Sequence, residues 1–225
     1  MRRFLRDNGL TVFFLTFFLT ALVGQSVAGQ HAYNADQLQH DQETVSYGRY
    51  LASSSFGRAV LENWQSEWLQ FVLFILATIW LAQRGSNESK APEERGLESD
   101  QKQLVKGYAK PGAAAWARAN GWRLWIYSNS LLIVMLVLFL GSWFAQSVTG
   151  WTEYNDEQGA HDETAVGYGK YVSHPHFWEQ SLQNWQSEFL AVAAMAIFTV
   201  YLRQRGSPES KPVGAPHGDA TGTSG

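Results

Sequence analysis

Two glutamates carry the strongest chemical suggestion in this sequence. Glu67 and Glu188 each close an Asn-Trp-Gln-Ser-Glu pentapeptide that leads into an apolar run, with Asn63 or Asn184 one helical turn earlier on the same face. A carboxylate at the mouth of an apolar segment is expensive unless it is wet or paired. Brought together, the two glutamates and two asparagines would make a cation or proton site. Kept apart, they would only start their helices, where a carboxylate suits the positive end of the helix dipole. The second arrangement asks less of the chain and is the expected one. Histidine offers a weaker signal. His31, His40, His161, His174 and His176, five of the six histidines, fall in two segments crowded with carboxylates, a composition that can bind zinc or copper. None of them has the four-residue helical spacing of a zinc-protease pair, and His174-Pro175-His176 lacks a counterpart elsewhere. His40-Asp41 and His161-Asp162 are therefore expected to supply loop hydrogen bonds or local caps. The paired rings of Tyr47-Gly48-x-Tyr50 and Tyr168-Gly169-x-Tyr171 read as interfacial anchors, as do Trp64, Trp68 and Trp185. Phosphate loop, nucleophile elbow, dinucleotide fingerprint and zincin motif are all missing from the sequence. Neither enzymatic activity nor a cofactor is expected.

These residues recur in register. Residues 2–90 align without a gap onto 123–211 at a constant offset of 121, with about 36 identities in 89 pairs. The matched blocks include Gln25-Ser26-Val27 with Gln146-Ser147-Val148, Tyr33-Asn34 with Tyr154-Asn155, and Gln83-Arg84-Gly85-Ser86 with Gln204-Arg205-Gly206-Ser207. A duplication of this length has to be found before any other reading, because it sets the architecture. Each copy holds two apolar runs. Leu10 to Ala28 and Leu124 to Val148 contain no charged residue and are long enough to span a bilayer core of about 30 Å. The second runs, Trp68 to Ala82 and Phe189 to Leu202, cover only about 22 Å alone, so each helix is expected to continue backward through the pentapeptide. The spans are therefore placed at about 10–28, 63–82, 124–148 and 184–202. Arg2-Arg3 and the pattern Ser26-Val27-Ala28 also resemble a secretory signal, but the matching mid-chain segment argues for a retained span.

Composition limits the rest. The absence of cysteine rules out disulfides, thiol catalysis and cysteine metal sites. A mean hydropathy of -0.22 requires that the spans be diluted by long polar stretches. Of the 17 lysines and arginines only Arg49, Arg58 and Lys170 lie in the segments between the spans of one copy, whereas 12 of the 20 acidic residues lie between Gly29 and Glu67 or between Gly150 and Glu188. The positive-inside rule then puts both termini and the linker in the cytoplasm. The expected fold is an all-α membrane protein with four transmembrane helices, arranged as two tandem hairpins of like orientation about an axis along the membrane normal. Hairpin one occupies 1–90, a cytoplasmic linker 91–122 with a short helix near 113–120, hairpin two 123–211, and a disordered tail 212–225.

The blocks Asn63 to Glu67, Gln146 to Trp151 and Arg205 to Pro212 together resemble a bacterial family of membrane proteins known only as a domain of unknown function. That resemblance covers nearly the whole chain and implies location and architecture, with no functional residue to transfer. Three functions remain in play. The first is a structural or interaction protein of the inner membrane, partnered by lipid and by another membrane protein or a second copy, with no nucleic acid. The second is a small cation or proton pathway with Glu67 and Glu188 at its outer mouth. The third is a metal sensor built on His40 and His161.

Overall fold

The structure is a computed structural model, and it describes residues 2–219. All regular structure among the described residues is helical. The first half contains α1 (Arg2–Asp7), α2 (Gly9–Gln39), α3 (Tyr47–Leu51) and α4 (Ser54–Trp80). The second half contains α5 (Trp122–Ser128), α6 (Ser130–Ala160), α7 (Tyr168–Val172) and α8 (Pro175–Tyr201). The bounds of α2, α3 and α4 recur in α6, α7 and α8 at an offset of 121. Single 3-10 turns at Pro92–Glu94, Lys106–Tyr108 and Ala115–Arg118 punctuate an otherwise irregular linker.

Several boundaries differ from the sequence expectation, each for a local reason. The first helix of each copy does not stop where its apolar run stops. α2 continues through Gln30 to Gln39 because that stretch is polar yet holds no proline and no consecutive glycines, and polar helix formers prolong a helix once it has nucleated. Asn8 and Asn129 mark the opposite ends. Each turns its side-chain amide onto the carbonyl four residues back, Phe4 at 3.0 Å and Trp125 at 2.7 Å, competing with the backbone for it. The expected span at 124–148 is thereby interrupted between α5 and α6. The second helices start nine residues before the pentapeptide. Ser53 Oγ accepts the Phe56 amide at 3.2 Å as an N-cap, and Pro175 occupies the first position of α8, where its missing N–H costs nothing.

Two helices, α2 and α6, are long and apolar enough to cross a membrane. α4 and α8 have the length, at 27 residues each, but their polar first thirds dilute the hydropathy that a four-span reading needs.

The chain divides into two compact units, residues 1–61 with 145–174 and residues 62–144 with 175–219. In the first, Tyr50, Tyr171, Ser26 and Gln146 are buried. In the second, Leu69, Val72 and Phe139 are buried together, with Trp68, Trp143 and Trp185 packed around them. Trp143 lies within 6.2 Å, ring centre to ring centre, of Phe139, Phe177, Trp178 and Trp185. The Gln-Arg-Gly-Ser blocks also serve the second unit. Ser89 and Ser210 accept the amides of Gln83 and Gln204 at 2.9 and 2.8 Å, holding the turn that follows each helix. Of the tail, residues 220–225 lie outside the described part; before it, the buried Lys211 Nζ donates to the His217 carbonyl at 2.6 Å.

Candidate functional site

The polar segments after α2 and α6 build the same device twice in the first unit. His40 caps α2, and Asp41 follows in the left-handed region at φ 56°. The Gln42 amide then donates to the Gln37 carbonyl at 2.8 Å and the Asp41 amide to Leu38, the paired reversal that ends many helices. His161, Asp162 (φ 57°) and Glu163 repeat it on Gln158 and Gly159. The chain then turns back along the helix it has left. Asn34 grips residue 45 from both sides, accepting the Val45 amide at 2.8 Å and donating to the Val45 carbonyl at 3.0 Å. Asn155 does the same to Val166, at 2.8 and 3.1 Å. A second donor reaches each carbonyl, Gln30 in one case and Trp151 in the other. The Ser26 and Tyr47 hydroxyls meet at 2.6 Å, and those of Ser147 and Tyr168 at 2.7 Å. Tyr50 and Tyr171 press their hydroxyls onto Gly29 and Gly150, where any β-carbon would collide with the ring oxygen. The shared Gln-Ser-Val, Tyr-Asn, His-Asp and Tyr-Gly-x-Tyr blocks are thus the fastenings of a folded-back loop.

One contact in this unit has no duplicate. The Arg58 guanidinium makes an ion pair with the Glu153 carboxylate, its Nη2 lying 3.2 Å from Oε1, and both side chains are largely buried. At an offset of 121 their positions hold Glu179 and Ala32. Glu153 also faces a cleft of about 820 Å³ in the same unit, shared with Tyr50, Asp36, Asp156, Glu157 and His161. Burial, and then the Glu153 charge, push the Tyr50 phenol above its ordinary range.

The six residues singled out by the sequence fall in both units. In the first, His40 and His161 approach edge-on with ring centres 6.0 Å apart, and both are exposed. His40 Nδ1 lies 3.0 Å from the Asp36 carbonyl, in keeping with its capping place. Among the described residues, no group of three or more His, Asp or Glu side chains converges as metal ligands would. In the second unit, Glu67 lies exposed on α4 and Glu188 half-buried on α8. The asparagines do not join them in a ring. Asn184 donates to the Glu62 carboxylate at 2.8 Å and to the Gln180 carbonyl at 3.0 Å, and the side chain of Asn63 is exposed. The pentapeptide contributes its other members to packing instead: Trp185 Nε1 donates to the fully buried Gln65 Oε1 at 2.8 Å.

Residues 1–223 match a protein family described as a domain of unknown function (DUF6766). The chain belongs to this family. No curated protein and no solved structure matches it. Membership therefore brings no activity with it, and the chemistry has to be argued from the residues above. Sequence reasoning took Tyr50 for an interfacial anchor, whereas it is buried against Gly29, and it missed the pairing of Arg58 with Glu153. Tyr50 and Gly29 were findable, because Tyr171 and Gly150 repeat them. The Arg58–Glu153 pair left no trace in the sequence, since neither residue is duplicated and 95 residues separate them.

Proposed function

We propose that the chain is a multi-pass protein of the bacterial inner membrane, with four spans in two tandem hairpins and both termini cytoplasmic, that acts as a structural or interaction protein without catalytic chemistry. The observation that carries this reading is the apolar surface of all four long helices. Leu10 of α2 is 74% exposed, Phe144 of α6 65% and Leu190 of α8 65%, and Phe71, Leu73 and Trp80 of α4 are also exposed. Apolar side chains exposed along long helices are unfavourable in water and are matched by lipid. At about 40 Å, α4 and α8 are long enough to cross a core of about 30 Å despite their polar starts. The lysines and arginines gathered in the termini and linker support the orientation.

A chain without cysteine allows a direct test. Single cysteines are introduced at Thr44, Glu163 and Ser99 and probed in intact cells with a membrane-impermeant maleimide. Labelling of the first two from outside, and of Ser99 only after permeabilisation, is the expected result. Labelling of Ser99 from outside, or extraction of the protein by alkaline carbonate, would overturn the topology.

A second reading is a cation or proton pathway with Glu67 and Glu188, one carboxylate on each of α4 and α8 in the same unit, at its mouth. Against it stands the packing of Phe139, Trp143, Trp185, Leu69 and Val72, which fills the second unit with apolar surface. Proteoliposomes decide between the two readings. Flux above that of empty vesicles, abolished by Glu67→Gln with Glu188→Gln, would establish the pathway; no flux together with an intact host phenotype in the double mutant would support the structural role.

A further inference from the structure

The linker of the second unit reaches α6 through a basic and aromatic platform whose charges are not neutralised. From Gln101 to Thr152 the sequence holds no acidic residue, yet residues 101–123 hold five lysines and arginines. Two of these pair with acids upstream, Lys102 with Glu94 at 2.9 Å and Lys106 with Asp100 at 2.7 Å. Lys110, Arg118 and Arg123 make no ion pair among the described residues, and all three are exposed. Local folding gathers them. The turn Ala115–Arg118 packs on α5 and on the turn Lys106–Tyr108, with Ala117 and Leu124 buried. Arg118 Nη2 donates to the Lys110 carbonyl at 3.1 Å. The Arg123 guanidinium lies over the Trp122 ring, 5.4 Å from its centre, and Trp122 meets Trp116 edge-on at 5.8 Å. The three cations therefore flank one pair of indoles. These rings face outward: Trp122 and Trp125 are each 62% exposed and Trp116 41%, which water disfavours and the boundary between water and lipid accepts. The depth agrees. From Ser130 to Val148, α6 rises about 28 Å, close to a bilayer core of about 30 Å, so a platform that ends at Ser128 lies at the level of the headgroups. The first copy lacks this device. There α1 occupies the corresponding place, but Asp7 lies 3.5 Å from Arg3 and 3.0 Å from Arg6, and the position matching Asp7 in the second copy is Ser128. The second copy thus carries basic residues without the neighbouring acid that would repel an anion.

We propose that this platform docks on the anionic phospholipid headgroups of the cytoplasmic leaflet, with phosphates among Lys110, Arg118 and Arg123 and the indoles of Trp116, Trp122 and Trp125 beside the glycerol backbone. It rests on the membrane reading given above. A zwitterionic lipid offers the same phosphate together with its own cation, so net charge is what discriminates between the two. Nucleic acid would satisfy the cations equally, but the depth of the platform favours lipid.

The test is native mass spectrometry of the full chain released from micelles and titrated with equal amounts of phosphatidylglycerol and phosphatidylcholine carrying the same acyl chains. The wild type should retain phosphatidylglycerol first. Each of Lys110→Gln, Arg118→Gln and Arg123→Gln should reduce that preference by up to about fivefold, and the three together should abolish it. Arg118→Lys with Arg123→Lys keeps the charge and should keep most of the preference. Arg84→Gln, at an exposed arginine that follows α4 and pairs with Glu93, should leave it unchanged. Variants are compared only where a tryptophan-monitored melt matches the wild type, and the wild-type titration needs no variant. Equal retention of both lipids by the wild type, a preference unchanged in the triple variant, or one lost as well in Arg84→Gln would overturn the proposal. So would displacement of the lipid by a single-stranded oligonucleotide, which would assign the platform to nucleic acid. The maleimide test at Ser99 is independent: labelling from outside would overturn the orientation, whereas a missing lipid preference with Ser99 protected would overturn the platform alone.

Discussion

Replacing Asn34 by alanine removes two hydrogen bonds at once, those to the Val45 amide at 2.8 Å and to the Val45 carbonyl at 3.0 Å. The two ends of the clamp are not equivalent. The carbonyl keeps a donor, because Gln30 Nε2 remains 3.1 Å away, whereas the half-buried Val45 amide is left with none. Each bond contributes about 1 kcal/mol net, and stranding a buried N–H adds to that, so Asn34→Ala should cost about 2 kcal/mol. For a chain of this size that is a fall in Tm of about 4–8 °C. Gln30→Ala takes away only one of two donors to the carbonyl and should cost about 1 kcal/mol or less. The ten tryptophans make intrinsic fluorescence a convenient melt, and amide exchange at Val45 reports the site directly. Asn34→Ala should abolish protection at Val45 and Gln30→Ala should retain it. The reverse order, or an Asn34→Ala melt indistinguishable from wild type, would refute the view that this clamp holds the loop down.

Gly150→Ala should destabilise by about 1–3 kcal/mol through collision with the buried Tyr171 hydroxyl, and Tyr171→Phe in the same chain should restore most of the loss in a thermal melt. Asp41 sits at φ 56°, so Asp41→Gly should be neutral or stabilising by up to about 1 kcal/mol, whereas Asp41→Val should lower Tm, because a β-branched residue tolerates that region poorly. Burial and then the charge of Glu209 raise the Glu88 carboxyl above its ordinary range. The ionised form is thus disfavoured in the folded chain, and the associated stability is complete at acid pH and lost as pH rises through the raised value. Glu88→Gln should therefore melt higher than wild type at neutral pH, by under about 1 kcal/mol for a partly exposed group, with the advantage vanishing below about pH 4.

The apolar runs and the 121-residue offset were legible because both are patterns of composition. The ends of the helices were not, since their signals are single residues: the cap at Ser53, the proline at 175, the left-handed aspartates at 41 and 162. The continuation of α2 through Gly29 to Gln39 escaped for a related reason, as polarity marks where a membrane ends and says little about where a helix ends. The pentapeptide was misleading in emphasis. Its glutamates drew attention as the groups with chemistry, yet the structure spends Gln65 and Trp185 of the same blocks on a packed hydrogen bond. The acidic cleft was beyond sequence reasoning, because Tyr50 and Glu153 come from distant segments and only folding makes them neighbours.

The unduplicated pair of Arg58 and Glu153 bears on how such a chain can have diverged. Two subunits both carrying the first half would set Arg58 against Ala32, leaving a guanidinium half-buried without its carboxylate. Two subunits both carrying the second half would set Glu179 against Glu153, like against like. Neither half can stand in for the other at this point, so the halves have become complementary pieces, and a gene split between them would yield a protein that must assemble as a heterodimer.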